Sequence, residues 1–231
     1  MSAKLLLFGA SGAIGRATRA AFEARHWQVT GTGRRGATSD GLVSYDPFDP
    51  KFDEAILDST GPYSAVCWAQ GANLSDSIYD VDVDKHLDLY RANVMFNVVS
   101  LRMLLDRGLL APNSRLCVIS SVWQMLARQN KFSYTVTKAA LQGFVLSAAV
   151  DLAKDGHLIN AVLPGAIDTP MTRLNLSADQ IKVLSDATLF RRLPLMDDVV
   201  NLVLFLCSPE NSGVTGQFIA ADLGFSRARI L

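Results

Sequence analysis

The chain of 231 residues carries 22 Lys+Arg against 22 Asp+Glu, with 49% hydrophobic and 19% charged residues. That balance excludes the basic footprint of a nucleic-acid binder, and the length suffices for one large core. The longest apolar runs, such as LLLF and FVLSAAV, are too short to cross a bilayer, and MSAKLLLFG lacks the length and cleavage site of a signal peptide, so a cytoplasmic protein with no membrane partner is expected.

No charge tract or Pro/Gly/Ser-rich linker divides residues 1–231, which read as one domain. Cys67, Cys117 and Cys207 are odd in number, widely spaced and set among apolar neighbours, so they read as reduced core residues. The three histidines stand near no other ligand type at a useful spacing, and no metal site is expected.

Short apolar runs alternate with helical patterns from end to end, which predicts an α/β fold with a parallel sheet of about seven strands covered by helices on both faces. The first strand, Lys4–Phe8, runs into GASGAIG, Gly9 to Gly15, and then into a helix over Ile14–Arg25. Glycines at such a turn let the backbone approach a pyrophosphate, whose charge the free amides and positive end of the helix favour. The second strand, Gln28–Thr32, ends at Gly33, Arg34 and Arg35. An acidic residue there bonds the ribose hydroxyls of NAD; glycine followed by two arginines suits a 2′-phosphate instead, hence NADP(H).

RRGATSDG is too short and glycine-rich for a full helix and predicts a loop before a strand at Leu42–Tyr45. A helix over Lys51–Asp58, a strand at Ala65–Ala69, a long helix over Val83–Arg107 and a strand at Arg115–Ser120 follow. Next comes a helix over Ser133–Lys154 that contains YTVTK. The spacing of four puts Tyr134 and Lys138 on one helix face, where the ammonium lowers the cost of forming a phenolate and fits the phenol for proton transfer near neutral pH. Ser121 lies thirteen residues upstream of that tyrosine. Strands at Leu158–Leu163 and Gln217–Ala220 flank a helix over Asp197–Cys207 and close the pattern.

With the glycine turn, the arginine pair, Ser121, Tyr134 and Lys138 in this order, the chain resembles the short-chain dehydrogenase/reductase family, in its compact single-domain branch, over essentially its whole length. The resemblance implies a single-domain Rossmann fold, doubly wound. It implies cofactor contacts from the turn, where Gly9, Ser11, Gly12, Ala13, Ile14 and Gly15 stand, with Phe8 and Ala13 replacing the family's threonine and middle glycine. Asp46, followed by Pro47, corresponds to the family's adenine contact, and Ala69, Gln70 and Gly71 to its segment after the fourth strand. Pro164, Gly165 and Thr169 match its P-G-x-x-x-T motif, with Ile167 and Thr169 holding the nicotinamide carboxamide. Leu223 stands where the family's closing segment usually has glycine.

The family's catalytic tetrad maps onto Asn93, Ser121, Tyr134 and Lys138. The implied activity is NADPH-dependent reduction of a small-molecule ketone or aldehyde, or its reverse. In it Tyr134 exchanges the proton, Ser121 polarises the oxygen, Lys138 binds the nicotinamide ribose and lowers the phenol pKa, and Asn93 holds a water. A non-catalytic NADP-binding redox sensor or scaffold is the alternative, against which the intact tetrad stands. A sugar-nucleotide epimerase or dehydratase needs a C-terminal substrate domain, and too few residues follow the nicotinamide turn for one. The Ser133–Lys154 helix has apolar residues on more than one face, Phe144, Val145, Leu146, Ala148, Ala149 and Val150, which predicts a homodimer or homotetramer. The segment at about 171–196 is expected to be a substrate lid, with Ser177 capping a short helix and Leu174, Leu176, Ile181, Leu184, Leu189 and Phe190 facing the ligand.

Overall fold

A computed structural model describes residues 2–33, 41–49 and 54–228. Arg34, Arg35 and nearly all of the RRGATSDG connection lie outside the described residues. Seven strands, β1 (Lys4–Phe8), β2 (Gln28–Gly33), β3 (Val43–Ser44), β4 (Tyr63–Trp68), β5 (Leu110–Ile119), β6 (Leu158–Pro164) and β7 (Phe218–Ala221), form one sheet in the order β3-β2-β1-β4-β5-β6-β7. Every pairing in it is parallel. From β1 the chain winds outward to β3, then returns to β4 on the other side of β1. Loops leaving β1 and β4 therefore diverge, and a crevice opens at the carboxyl ends of those two strands.

Period-two alternation sends side chains to two cores. Leu6, Phe8, Val66, Trp68, Leu116 and Val118 pack with Leu101 and Leu104 of α3 (Phe96–Asp106) and with Leu141, Val145 and Leu152 of α4 (Phe132–Leu152). Leu5, Leu7, Cys67, Cys117 and Val162 pack with Phe22 of α1 (Ala13–Glu23) and with Val199, Val203 and Leu206 of α7 (Met196–Leu206). Both faces are thus sealed, and the strands can be nearly continuous apolar runs. All three cysteines are buried on the α1/α7 side, Cys67 in register with Cys117.

Several boundaries differ from the sequence expectation. Only Glu54–Leu57 of the helix expected at Lys51–Asp58 is seen, as a 3₁₀ turn, and residues 51–53 lie outside the described residues. β5 begins at Leu110 rather than Arg115: the register against β4 shifts between Tyr63 and Ala65, and Asn113 takes a left-handed φ of 57°. There the Ser114 amide donates to His157 Nδ1 at 3.0 Å, so a side chain replaces a ladder partner.

The helix expected to run unbroken through Val83–Arg107 is α2 (Val83–Tyr90), a π turn (Arg91–Met95) and α3. Apolar periodicity cannot reveal one inserted residue within a helix. Single π turns inside α-helices are frequent at functional sites.

α4 corrects the expectation drawn from short apolar runs. Residues Phe132–Asp155 are long and apolar enough to cross a membrane by length and composition. Yet Thr137, Lys138, Leu141, Val145 and Leu152 form a buried stripe against the sheet, as in a core helix, while Leu146 and Val150 stand exposed on the opposite side. The segment after β6 forms α5 (Pro170–Asn175), capped by Thr169, and α6 (Ala178–Asp186), where Ser177 and Gln180 make a reciprocal capping box. α6 buries none of its side chains fully.

Candidate active site

The site is built where β1, β4, β5 and β6 end. After β1, Gly9 takes φ +76°, and a Cβ there would lie 2.5 Å from the Gln70 amide nitrogen. Gly15 is tighter: its Cβ would fall 2.2 Å from the Gly9 carbonyl oxygen. Glycine is therefore required at both places, and it brings the start of α1 against the strand end. The helix begins at Gly12 with no side-chain cap and no acid in its first turn, and Ser11, Gly12 and Ala13 are exposed. Uncapped amides at a helix start are an anion site in waiting.

Phe8, in the position of the family's threonine, faces the core rather than the turn and packs against Tyr45, Trp68 and Phe96 with ring centroids 5.0, 5.8 and 5.5 Å away. Across the crevice, Ala69 donates its amide to the Phe8 carbonyl at 2.9 Å, and Gln70 Nε2 donates to Asn97 Oδ1 at 2.6 Å. Gln70 Oε1 is a buried acceptor with no donor among the described residues. Asp46 is exposed and accepts from the Phe48 amide at 3.0 Å, with Pro47 between them.

At the end of β5, Ser121 caps a short turn, accepting from the Trp123 amide, and meets the Tyr134 phenol. Lys138 Nζ donates to the Ile119 carbonyl at 3.2 Å and lies 5.6 Å from the centre of the Tyr134 ring. A Cβ on Gly71 would lie 3.7 Å from that Nζ and 3.4 Å from Asn93 Oδ1. Asn93, Ser121, Tyr134, Lys138 and Gly71, far apart in sequence, thus come together.

Two expectations are corrected in detail. Burial pushes the Tyr134 phenol above its ordinary pKa, with the Ser121 contact opposing, and burial lowers Lys138 to about 8. Desolvation, which sequence spacing cannot register, is the largest influence on the phenol. Asn93 Oδ1 accepts from the Ala72 amide at 2.7 Å, and its Nδ2 donates to the Ala72 carbonyl at 3.1 Å and to Thr137 Oγ1 at 2.9 Å. Both of its side-chain donors are engaged with protein, where the resemblance implied that it holds a water.

Two functional neighbours were missed by sequence reading. Asp76 accepts from the amide and hydroxyl of Ser133 and so caps α4 from another loop. Lys131 is buried, with Nζ bonded to Asn73 Oδ1, the Leu74 carbonyl and Ser75 Oγ, and lies 5.8 Å from the Tyr134 ring centre. Neither belongs to a local motif, and only the fold joins loop 73–76 to the start of α4.

Beyond β6, Pro164 pairs with Ala221, the Gly165 amide donates to the Ala221 carbonyl at 3.1 Å, and Ile167 is buried. Thr169 Oγ1 accepts from the Thr172 amide at 3.1 Å, and the Thr172 hydroxyl donates to the Ile167 carbonyl at 2.7 Å. Leu223 adopts φ 54°, a left-handed conformation in which a side chain is strained, where the family usually has glycine. A narrow cleft opens beside this turn, lined by Trp123, Leu184, Pro194 and Phe225.

The uncapped α1 start, the two enforced glycines and the orphaned Gln70 oxygen fit a dinucleotide lying across the β1/β4 crevice.

The sequence profile described as enoyl-(acyl carrier protein) reductase matches residues 63–226. The chain is 27% identical to an L-rhamnose 1-dehydrogenase (NADP(+)) from Thermoplasma acidophilum, over 95% of this chain and 94% of that one. It is 28% identical to the 3-oxoacyl-(acyl-carrier-protein) reductase FabG of Escherichia coli, over 95% of each. Its fold superposes on the solved structure "ElxO with NADP Bound" with a TM-score of 0.86 at 21% identity, covering 97% of this chain and 99% of the other. The chain belongs to the short-chain dehydrogenase/reductase family of oxidoreductases.

Proposed function

We propose that the protein is an NADPH-dependent reductase of small-molecule ketones or aldehydes, working equally as an alcohol dehydrogenase in reverse. The observation that carries this reading is the meeting of Ser121, Tyr134 and Lys138 at the carboxyl edge of the sheet. The uncapped turn that fits a dinucleotide lies across the same edge. When bound, NADP(H) supplies hydride chemistry at carbon; the chain's own residues handle the oxygen. Ser121 donates a hydrogen bond to that oxygen and polarises it. Tyr134, kept protonated through the neutral range by burial, is the proton donor in the reducing direction. Lys138, charged below about pH 8, stabilises the phenolate left behind. Asn93 fixes the loop after β4 against α4 through Ala72 and Thr137.

The preference for NADPH rests on Gly33, Arg34 and Arg35 at the end of β2, and on the NADP named for the Thermoplasma relative and for ElxO. The exposed Leu146 and Val150 of α4 support assembly into a dimer or tetramer, and the exposed α6 supports a lid over the cleft.

A screen of ketones and alcohols, read at the nicotinamide absorbance band, tests the activity. Tyr134→Phe should bind NADPH normally and lose turnover. Near-normal turnover by that variant would remove the assigned proton donor, and equal calorimetric affinity of the unmodified protein for NADH and NADPH would remove the cofactor preference.

A further inference from the structure

The cleft that opens at Val122 and Trp123 has walls of two kinds. Val122, Leu184, Leu193 and Pro194 are aliphatic, and Trp123 and Phe225 meet edge to face with centroids 6.1 Å apart. Its polar lining groups are already engaged. The Thr188 hydroxyl shares its one proton between the Ser185 and Arg192 carbonyls, 2.9 and 2.8 Å away, and the Asp222 carboxylate accepts from the amides of Gly224 and Ser226 at 2.9 and 2.8 Å. A ligand body in this space is recognised by apolar and ring contacts, and a flat ring suits the two aromatic walls.

The cations near the cleft separate into engaged and open ones. Lys131 has three acceptors, and Lys138 is buried on the Ile119 carbonyl. Arg173 pairs with Asp168, and Arg192 with Asp198. Arg128 differs. Its guanidinium carbon lies 5.6 Å from the centre of the Trp123 ring, the group is exposed, and among the described residues it makes no ion pair. The Arg227 side chain, also exposed, donates among the described residues to the Met125 sulfur at 3.3 Å, a weak acceptor. Among the described residues neither guanidinium is in an ion pair, and the Asp222 carboxylate that lines the cleft is turned to backbone amides. Stacked on an indole, the Arg128 fork is preorganised, with its donors open to an incoming oxyanion.

We infer that the substrate is a small ketone or aldehyde with a flat apolar body and a carboxylate-type oxyanion at the end remote from the carbonyl. The body lies against the Trp123 and Phe225 rings, and Arg128 takes the anion. This rests on the proposed reductase function and on reading the cleft that begins at Val122, the chain neighbour of Ser121, as its substrate site, and it names a substrate class that the fold alone does not assign.

Two matched probes test it: 4-acetylbenzoate, which has a ketone and a carboxylate on opposite ends of one ring, and its methyl ester, which lacks the charge. Calorimetric titration into the full chain should show the acid binding more tightly than the ester. Arg128→Leu, which keeps an apolar stem on Trp123, should weaken the acid about tenfold and leave the ester within about twofold, the size expected for a partly exposed charge-assisted pair. Arg128→Lys should recover part of the loss. Equal weakening of acid and ester would show a packing role only and overturn the inference. So would acid binding that Arg128→Leu leaves unchanged, or no acid binding to the unmodified protein. Adding NADPH separates the two readings: acid that binds through Arg128 but is never reduced counts against the reductase assignment and leaves the anion site standing.

Discussion

Replacing Asn93 by alanine tests how far the loop after β4 and helix α4 are held together by a single amide. The substitution removes the acceptor of the Ala72 amide, the donor to the Ala72 carbonyl and the donor to Thr137 Oγ1. At about 1 kcal/mol net for each hydrogen bond the loss is about 3 kcal/mol. Alanine's better helix propensity returns about 0.5 kcal/mol, because the position lies within a helical turn. Ala72 is only half-buried, so water can reach part of what is exposed, and the net cost is about 2.5 kcal/mol. For a chain of this length that corresponds to a Tm lower by about 5–10 °C. Thermal scans by circular dichroism, with denaturant midpoints as a second measure, give the answer. Thr137→Val, which removes only one of the three partners, should cost about 1 kcal/mol. A Tm within 2 °C of the parent for Asn93→Ala, roughly the effect of a single kcal/mol or less, would refute the idea that this side chain ties the loop to α4.

Three further outcomes are expected. For any ketone found to be reduced, kcat/KM should stay level from pH 6 and fall above about 8, since Lys138 loses its charge there while Tyr134 is still protonated; a profile level to pH 10 would contradict this. Gly15→Ala forces a Cβ onto the Gly9 carbonyl and Ala10 Cα, and should cost about 1–3 kcal/mol and weaken NADPH binding at least tenfold. Gly12→Ala, whose nearest atom would be 3.4 Å away, should cost under about 1 kcal/mol, and equal damage from both would undo the steric argument. His157 is held neutral by burial, with its folded pKa below the ordinary value, so the unfolded chain takes up its proton first. Its contribution is complete above about pH 6.5 and is lost as pH falls through the folded pKa. Between pH 7 and 5 the denaturant midpoint should fall more for the parent than for His157→Gln, and parallel curves would speak against it.

The strands were legible because a parallel sheet buried on both faces writes itself as short apolar runs, and the register pairs β1, β4, β5 and β6 almost where those runs stand. Tyr134, Lys138 and the glycine turn were legible because each is a local pattern with a geometric cause. What escaped was whatever depends on two distant segments meeting. Asp76 capping α4, Lys131 clasping residues 73–75 and the engaged amide of Asn93 have no signature along the chain. Burial escaped for the same reason, and with it the direction of the Tyr134 pKa. Phe8 at a position where a small polar residue is usual becomes intelligible only with Tyr45, Trp68 and Phe96 around its ring.

The π turn at Arg91–Met95 makes the helix through it intolerant of length change. Asn93 sits inside the turn and points to Ala72 and Thr137. Just beyond it, Asn97 holds Gln70, Ser100 accepts from Trp68 Nε1 at 2.8 Å, and Phe96 meets Phe8. Deleting one residue here would restore an ordinary α-helix and rotate everything downstream by about 100°. Asn97, Ser100 and Phe96 would then swing off the sheet together. The extra residue works as a phase correction: it lets one helix aim an amide at the crevice and still present its next two turns to the core. Elsewhere on the surface an insertion or deletion is absorbed by a loop, whereas here the count of residues is itself part of the site.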